Sequence, residues 1–125
     1  PPASAYREGL RHQSLSYQRL TQDGTQMKGC LASGFPFVFG FSVYESFESG
    51  AVARTGQVPM PGSGEHLVGG HAVLAVGFDD RRQQFIVMNS WSTDWGDEGY
   101  FHMPYAYLAS PQLARDLWTV RTVEG

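Results

Sequence analysis

His71 and Asn89 stand eighteen positions apart in "GGHAVLAVGFDDRRQQFIVMNSWSTDWGDEGYF", each at the edge of an apolar run. An imidazole can take and return a proton near neutral pH. An asparagine side-chain oxygen can accept from an imidazole N–H, fixing which ring nitrogen carries the proton. That is the task of the third member in cysteine/histidine and serine/histidine systems. A histidine at a strand start is also a common surface or satisfied core residue, and spacing alone leaves both readings open.

The alternatives in other chemistries are weaker. "GSGEHLVGG" is rich in glycine but lacks the Lys and Ser/Thr of a phosphate-binding loop, and it precedes a strand. His12, His66, His71 and His102 do not follow any recognised zinc-ligand spacing, so no metal is expected. No cofactor motif is present.

The elements around the pair follow from periodicity. Ser14–Leu20 alternates well enough for a short strand, after sparse anchors at Tyr6 and Leu10. Asp23 with Gln26 resembles a capping box, and Met27, Cys30 and Leu31 share one helical face. Gly34 and Pro36 supply a stop, so residues 24–33 are predicted as a helix. Phe37, Phe39, Phe41 and Val43 alternate as a strand with one apolar face. Residues 45–68 carry four glycines and two prolines and are expected to be a long loop.

His71–Phe78 and Gln84–Asn89 are the next strands, closed by a turn over 79–83; Gly99–Met103 and Asp116–Arg121 follow. In that hairpin Phe78 faces Gln84 and paired positions sum to 162. Val73 then faces Asn89, and His71 and Asn89 share a sheet face one diagonal step apart. The diagonal spans about 7–8 Å, and a direct pair about 5 Å. Trp91 and Trp95, just beyond, can shield a bond between them from water. Several short strands, a hairpin and few helices predict an α+β domain, mostly antiparallel β: a barrel or strongly curved sheet.

Composition bounds the rest. The chain has 125 residues, enough for a single domain over 1–125, with 42% hydrophobic and 14% aromatic residues. A net charge of −3 offers no basic stripe for nucleic acid. No apolar run approaches the roughly 20 residues that span a membrane, and the opening "PPASAYREGL" has no signal-peptide core. The single cysteine, Cys30, can form no disulfide within the chain.

"GGHAVLAVGFDD", "FIVMNSWSTDWGDEGYF" and the upstream "MKGCLASGFPFVFGFSVYESF" together resemble the C-terminal half of the papain-like cysteine peptidases. The resemblance covers nearly the whole chain. It implies the barrel-like right-hand half of that fold. It implies His71 and Asn89 as catalytic residues, and Gly69, Gly70, Ala72 and Trp91 as substrate-cleft residues. It departs at Ser92, where the family has glycine; a side chain there strains the turn if the position needs a positive φ.

The family's nucleophilic cysteine lies roughly 130–150 residues before its histidine. Only 70 residues precede His71. The nucleophile is therefore expected roughly 60–80 residues before Pro1, together with the glutamine that helps hold the oxyanion. Cys30 has none of the nucleophile's flanking residues, and its apolar helical face predicts a buried, slow thiol.

The expected function is thus part of an endopeptidase that hydrolyses peptide bonds through Cys, His and Asn, with the Cys outside this chain and the lone chain inactive. Its partners are peptide or protein substrates, and either the helical half or a second copy of itself. The face bearing His71, Trp91 and the Phe37–Phe41 strand is expected to pack partly against that helical half. A non-catalytic interaction module that inherited the same fold is the competing reading.

Overall fold

The computed structural model describes residues 13–124; His12 and the anchors Tyr6 and Leu10 lie outside them. In chain order the elements are β1 (Gln13–Arg19), α1 (Gly24–Ala32), β2 (Phe37–Tyr44), a 3-10 turn (Glu45–Glu48), α2 (Gly50–Thr55), β3 (Leu67–Asp79), β4 (Gln84–Met88), β5 (Tyr100–Pro104), α3 (Tyr105–Ala109) and β6 (Ala114–Glu124). One six-stranded sheet runs β1-β6-β2-β3-β4-β5, and each neighbouring pair is antiparallel. This is the mostly antiparallel α+β architecture expected from the sequence. Among the described residues β1 and β5 are its edges, so the sheet is open.

Local chemistry sets the elements. Asp23 caps α1, its carboxylate accepting the Gln26 N–H at 3.1 Å. The reciprocal half of the expected capping box is absent, because the Asp23 N–H donates to Thr21 O instead. Met27 and Cys30 are buried, as the helical spacing predicts, and Gly34 ends the segment with φ +90°.

On β2, Phe37, Phe39, Phe41 and Val43 are all buried. They meet Phe47, Phe85, Phe101 and Tyr107 in one aromatic core. Removing such a side chain from water contributes about 1.5–3 kcal/mol. These phenylalanines therefore belong to this domain's own core. The expectation that they pack against a second domain is corrected: period two sends Val38, not its neighbours, outward.

Two further corrections concern the long connection. Residues 45–55 are helical rather than loop, because Ser49 caps α2 (its hydroxyl accepts the Val52 N–H at 3.2 Å) and Gly56 closes it at φ +73°. Strand β3 begins at Leu67, four residues before His71, since residues 67 to 75 pair with β2. The five-residue α3 is too short for periodicity to reveal.

The β3–β4 register differs from expectation near the turn and agrees with it near the site. The loop holds four residues, with Gln83 at φ +54°, so Asp79 pairs with Gln84 and Phe78 with Phe85. Those pairs sum to 163. A bulge between Ala75 and Gly77 then restores Ala75↔Val87 and Leu74↔Met88, which sum to 162. A one-residue slip turns every side chain to the other face, and the bulge turns them back. Beyond it Val73 and Ala75 face the core, as do Phe85 and Val87 across the pair.

Candidate active site

His71 and Asn89 continue those two core-facing rows at the sheet's end. His71 Nε2 lies 3.1 Å from Asn89 Oδ1. Because that oxygen only accepts, Nε2 donates. Nδ1 makes no hydrogen bond among the described residues, so in the neutral ring it presents a lone pair. Asn89 is 5% exposed, and its Nδ2 has no partner among the described residues.

Aromatic rings hold the imidazole. Trp91 stacks on His71 with centroids 5.5 Å apart and planes 23° apart. Trp95 meets Trp91 edge-on at 5.0 Å, Phe47 contacts both indoles, and Phe41 lies under the imidazole at 5.8 Å. Water is thus kept from one side of the His71–Asn89 bond, which strengthens it.

The loop after β4 is fixed by its backbone. Asn89 N–H donates to Gly99 O (3.0 Å), Trp95 N–H to Ser92 O (3.0 Å) and Gly99 N–H to Trp95 O (2.9 Å). Gly96 N–H reaches Ala53 O of α2 at 2.6 Å, tying the loop to the helix that the glycines of 45–68 had hidden. The concern over Ser92 is resolved: it is not among the positive-φ residues, and its Oγ accepts the Asp94 N–H at 3.1 Å.

A cavity of about 270 Å³ opens beside His71, and Gly69, Gly70 and Trp91 line it. Ala72 has the opposite strand parity and lines a different hollow with Val38, Leu74 and Met88. Sequence reasoning missed Val43, Phe47, Glu48 and Val68, which complete the wall at His71. No local signal marks Glu48, because the fold alone brings the 3-10 turn to the site.

The other candidate groups lie apart. Cys30 is buried on α1, its Sγ 3.3 Å from Phe35 O. His66 bonds Glu45, and His102 bonds Asp97 at 2.9 Å. No three metal-ligating side chains converge among the described residues. A polar cavity of about 600 Å³ lies at the turn end of the β3–β4 hairpin, bounded by Arg81, Arg82 and the His102–Asp97 pair. It is larger, but no hydroxyl or thiol lines it.

Comparison with known proteins bears on this arrangement. The family model for papain family cysteine proteases matches residues 4–115. A peptidase C1-like protein of Acanthamoeba polyphaga mimivirus is 49% identical over 98% of this chain and 42% of its own length. A cathepsin B-like cysteine proteinase of Ostertagia ostertagi is 31% identical over 79% of the chain and 55% of its own length. The crystal structure of xylellain, a cysteine protease from Xylella fastidiosa, superposes with a TM-score of 0.81 at 48% identity. It covers 87% of this chain, and 40% of xylellain is matched. A Carica candamarcensis cysteine protease in complex with E-64 shares the fold at TM-score 0.55 and 20% identity. The chain thus spans about half or less of these relatives. It belongs to the papain family of cysteine proteases.

Proposed function

We propose that this chain supplies the histidine and asparagine of a papain-like endopeptidase whose nucleophilic cysteine lies outside it. The observation that carries the reading is the His71–Asn89 hydrogen bond beneath Trp91. With Nε2 committed to Asn89, Nδ1 is the nitrogen left to take the thiol's proton. The thiolate attacks the peptide carbonyl, and the resulting imidazolium returns the proton to the leaving amine as the C–N bond breaks. The released imidazole then takes a proton from water, whose oxygen displaces the thiol from the acyl group.

In this reading peptide lies along the cavity that Gly69, Gly70 and Trp91 border, and Ala72, on the other face of β3, lines a separate hollow. The chain alone lacks a held thiol at His71 and hydrolyses no peptide. Fluorogenic peptides assayed with this chain, then with the chain joined to its cysteine-bearing half, test the proposal. Turnover only in the joined protein, abolished by E-64 and by His71→Ala, is expected. A joined protein that binds peptide without cleaving it overturns the endopeptidase reading and leaves an interaction module.

A further inference from the structure

We propose that Glu48 makes the cavity beside His71 a subsite for a lysine or arginine side chain, on the leaving-amine side of the scissile bond. This rests on the peptidase reading above and goes beyond it by naming the substrate's charge.

The walls of the cavity are apolar: Val43, Phe47, Val68 and the indole of Trp91. Glu48 and His71 are its only ionisable side chains among the described residues. Nearby carboxylates are already engaged. Glu45 accepts the backbone N–H and Nδ1 of His66, and Glu65 accepts the N–H groups of Ser46 and Gly62. Glu48 makes no side-chain hydrogen bond among the described residues, and it is exposed at the end of the 3-10 turn.

An apolar collar closed by one carboxylate suits a long cationic side chain. The aliphatic stem lies along the walls while the charged head reaches the rim. Trp91 adds a ring face that attracts a cation. A glutamate side chain in the same place meets a like charge, and a leucine leaves Glu48 unpaired. Gly69 and Gly70 border the cavity without side chains; a Cβ built on Gly69 meets nothing within 4 Å, so peptide backbone can approach. The side of the scissile bond follows from His71. The leaving amine takes its proton from this ring, so the first residue after that amine hangs beside it.

The test uses the protein joined to its cysteine-bearing half, with peptides differing only in the residue after the scissile bond: Lys, Arg, Gln, Leu or Glu. Lys and Arg are expected to exceed Gln in kcat/KM by about two- to fivefold at low salt, the range of an exposed ion pair, and to lose that lead as salt rises. In Glu48→Gln the Lys-to-Gln ratio falls to about one, and in Glu48→Lys the Glu peptide overtakes the Lys peptide. The same peptides are titrated against the protein with its catalytic cysteine replaced by alanine, read by tryptophan fluorescence. The binding ratio then decides the point even if no peptide is cleaved, an outcome that would count against catalysis alone. Equal Lys and Gln values in the unsubstituted protein, or a preference that survives Glu48→Gln, overturns the proposal.

Discussion

Asn89 commits one side-chain atom to His71 and leaves the other without a partner among the described residues. Its Oδ1 accepts from His71 at 3.1 Å, while its Nδ2 is buried without a partner among the described residues. An orphaned buried amide costs about 1–3 kcal/mol, so the side chain adds little net stability. Asn89→Ala, in the protein joined to its cysteine half, is therefore expected to fold normally. Its kcat should fall by about one to two orders of magnitude, a share of the 10²–10⁴-fold that positioned proton transfer supplies. KM should change little, because Asn89 is buried and bonded to His71, leaving little of it for a peptide to touch. Steady-state kinetics beside a thermal melt separate the cases. A raised KM at unchanged kcat would show that Asn89 holds substrate instead.

At the scale of elements, the site depends on turns that admit no side chain. Gly96 has φ +67°, and a Cβ there would lie 2.5 Å from Tyr100 O; at Gly56 the same test gives 2.7 Å. Gly96→Ala must move the loop that carries Trp91 and Trp95, and is expected to destabilise by about 2–4 kcal/mol. Gly29 lies within α1 with nothing within 4 Å, so Gly29→Ala should stabilise by about 0.5–1 kcal/mol. Chemical denaturation of both variants checks the contrast. The same elements show what was legible in sequence. The Asp23 cap and the alternation of Phe37, Phe39 and Phe41 are local signals, and the structure repeats them. The shared face of His71 and Asn89 is also as expected, through a bulge beside Gly77 that the assumed hairpin did not include. It offset an error in the assumed turn. The helix Gly50–Thr55 was hidden because Gly50 and Gly56 read as loop when they flank a capped turn. Glu48 carried no signal at all, since its role exists only once β2 and β3 bring it beside Trp91.

For the whole molecule, carboxylates and buried phenols bound the stable pH range. The N–H of Gly62, then that of Ser46, hold the Glu65 carboxyl below its ordinary 4.5, and the Tyr105 hydroxyl and Lys28 hold Asp80 below 3.8. Groups depressed on folding stabilise above their unfolded pKa, and that contribution is lost as pH falls through the folded value. Melting temperatures should therefore decline below about pH 4.5. Burial pushes the Tyr107 hydroxyl from 10 up to about 12, so its contribution is present below pH 10 and lost as pH rises towards 12. Between these limits the chain's behaviour alone is set by its outer face. Trp118, Val38, Leu74, Met88 and Tyr100 form a cross-strand row through successive register pairs. Val38 is 36% and Met88 41% exposed. A contiguous apolar row drives association, and two copies can cover it mutually. The isolated chain should accordingly self-associate in light scattering, and Val38→Lys with Met88→Lys should return it to a monomer that still melts cooperatively. Adding the cysteine-bearing half should compete with that association and bring E-64-sensitive turnover with it. An isolated chain that stays monomeric at about 100 μM, or a lone monomer that cleaves peptide, refutes this account.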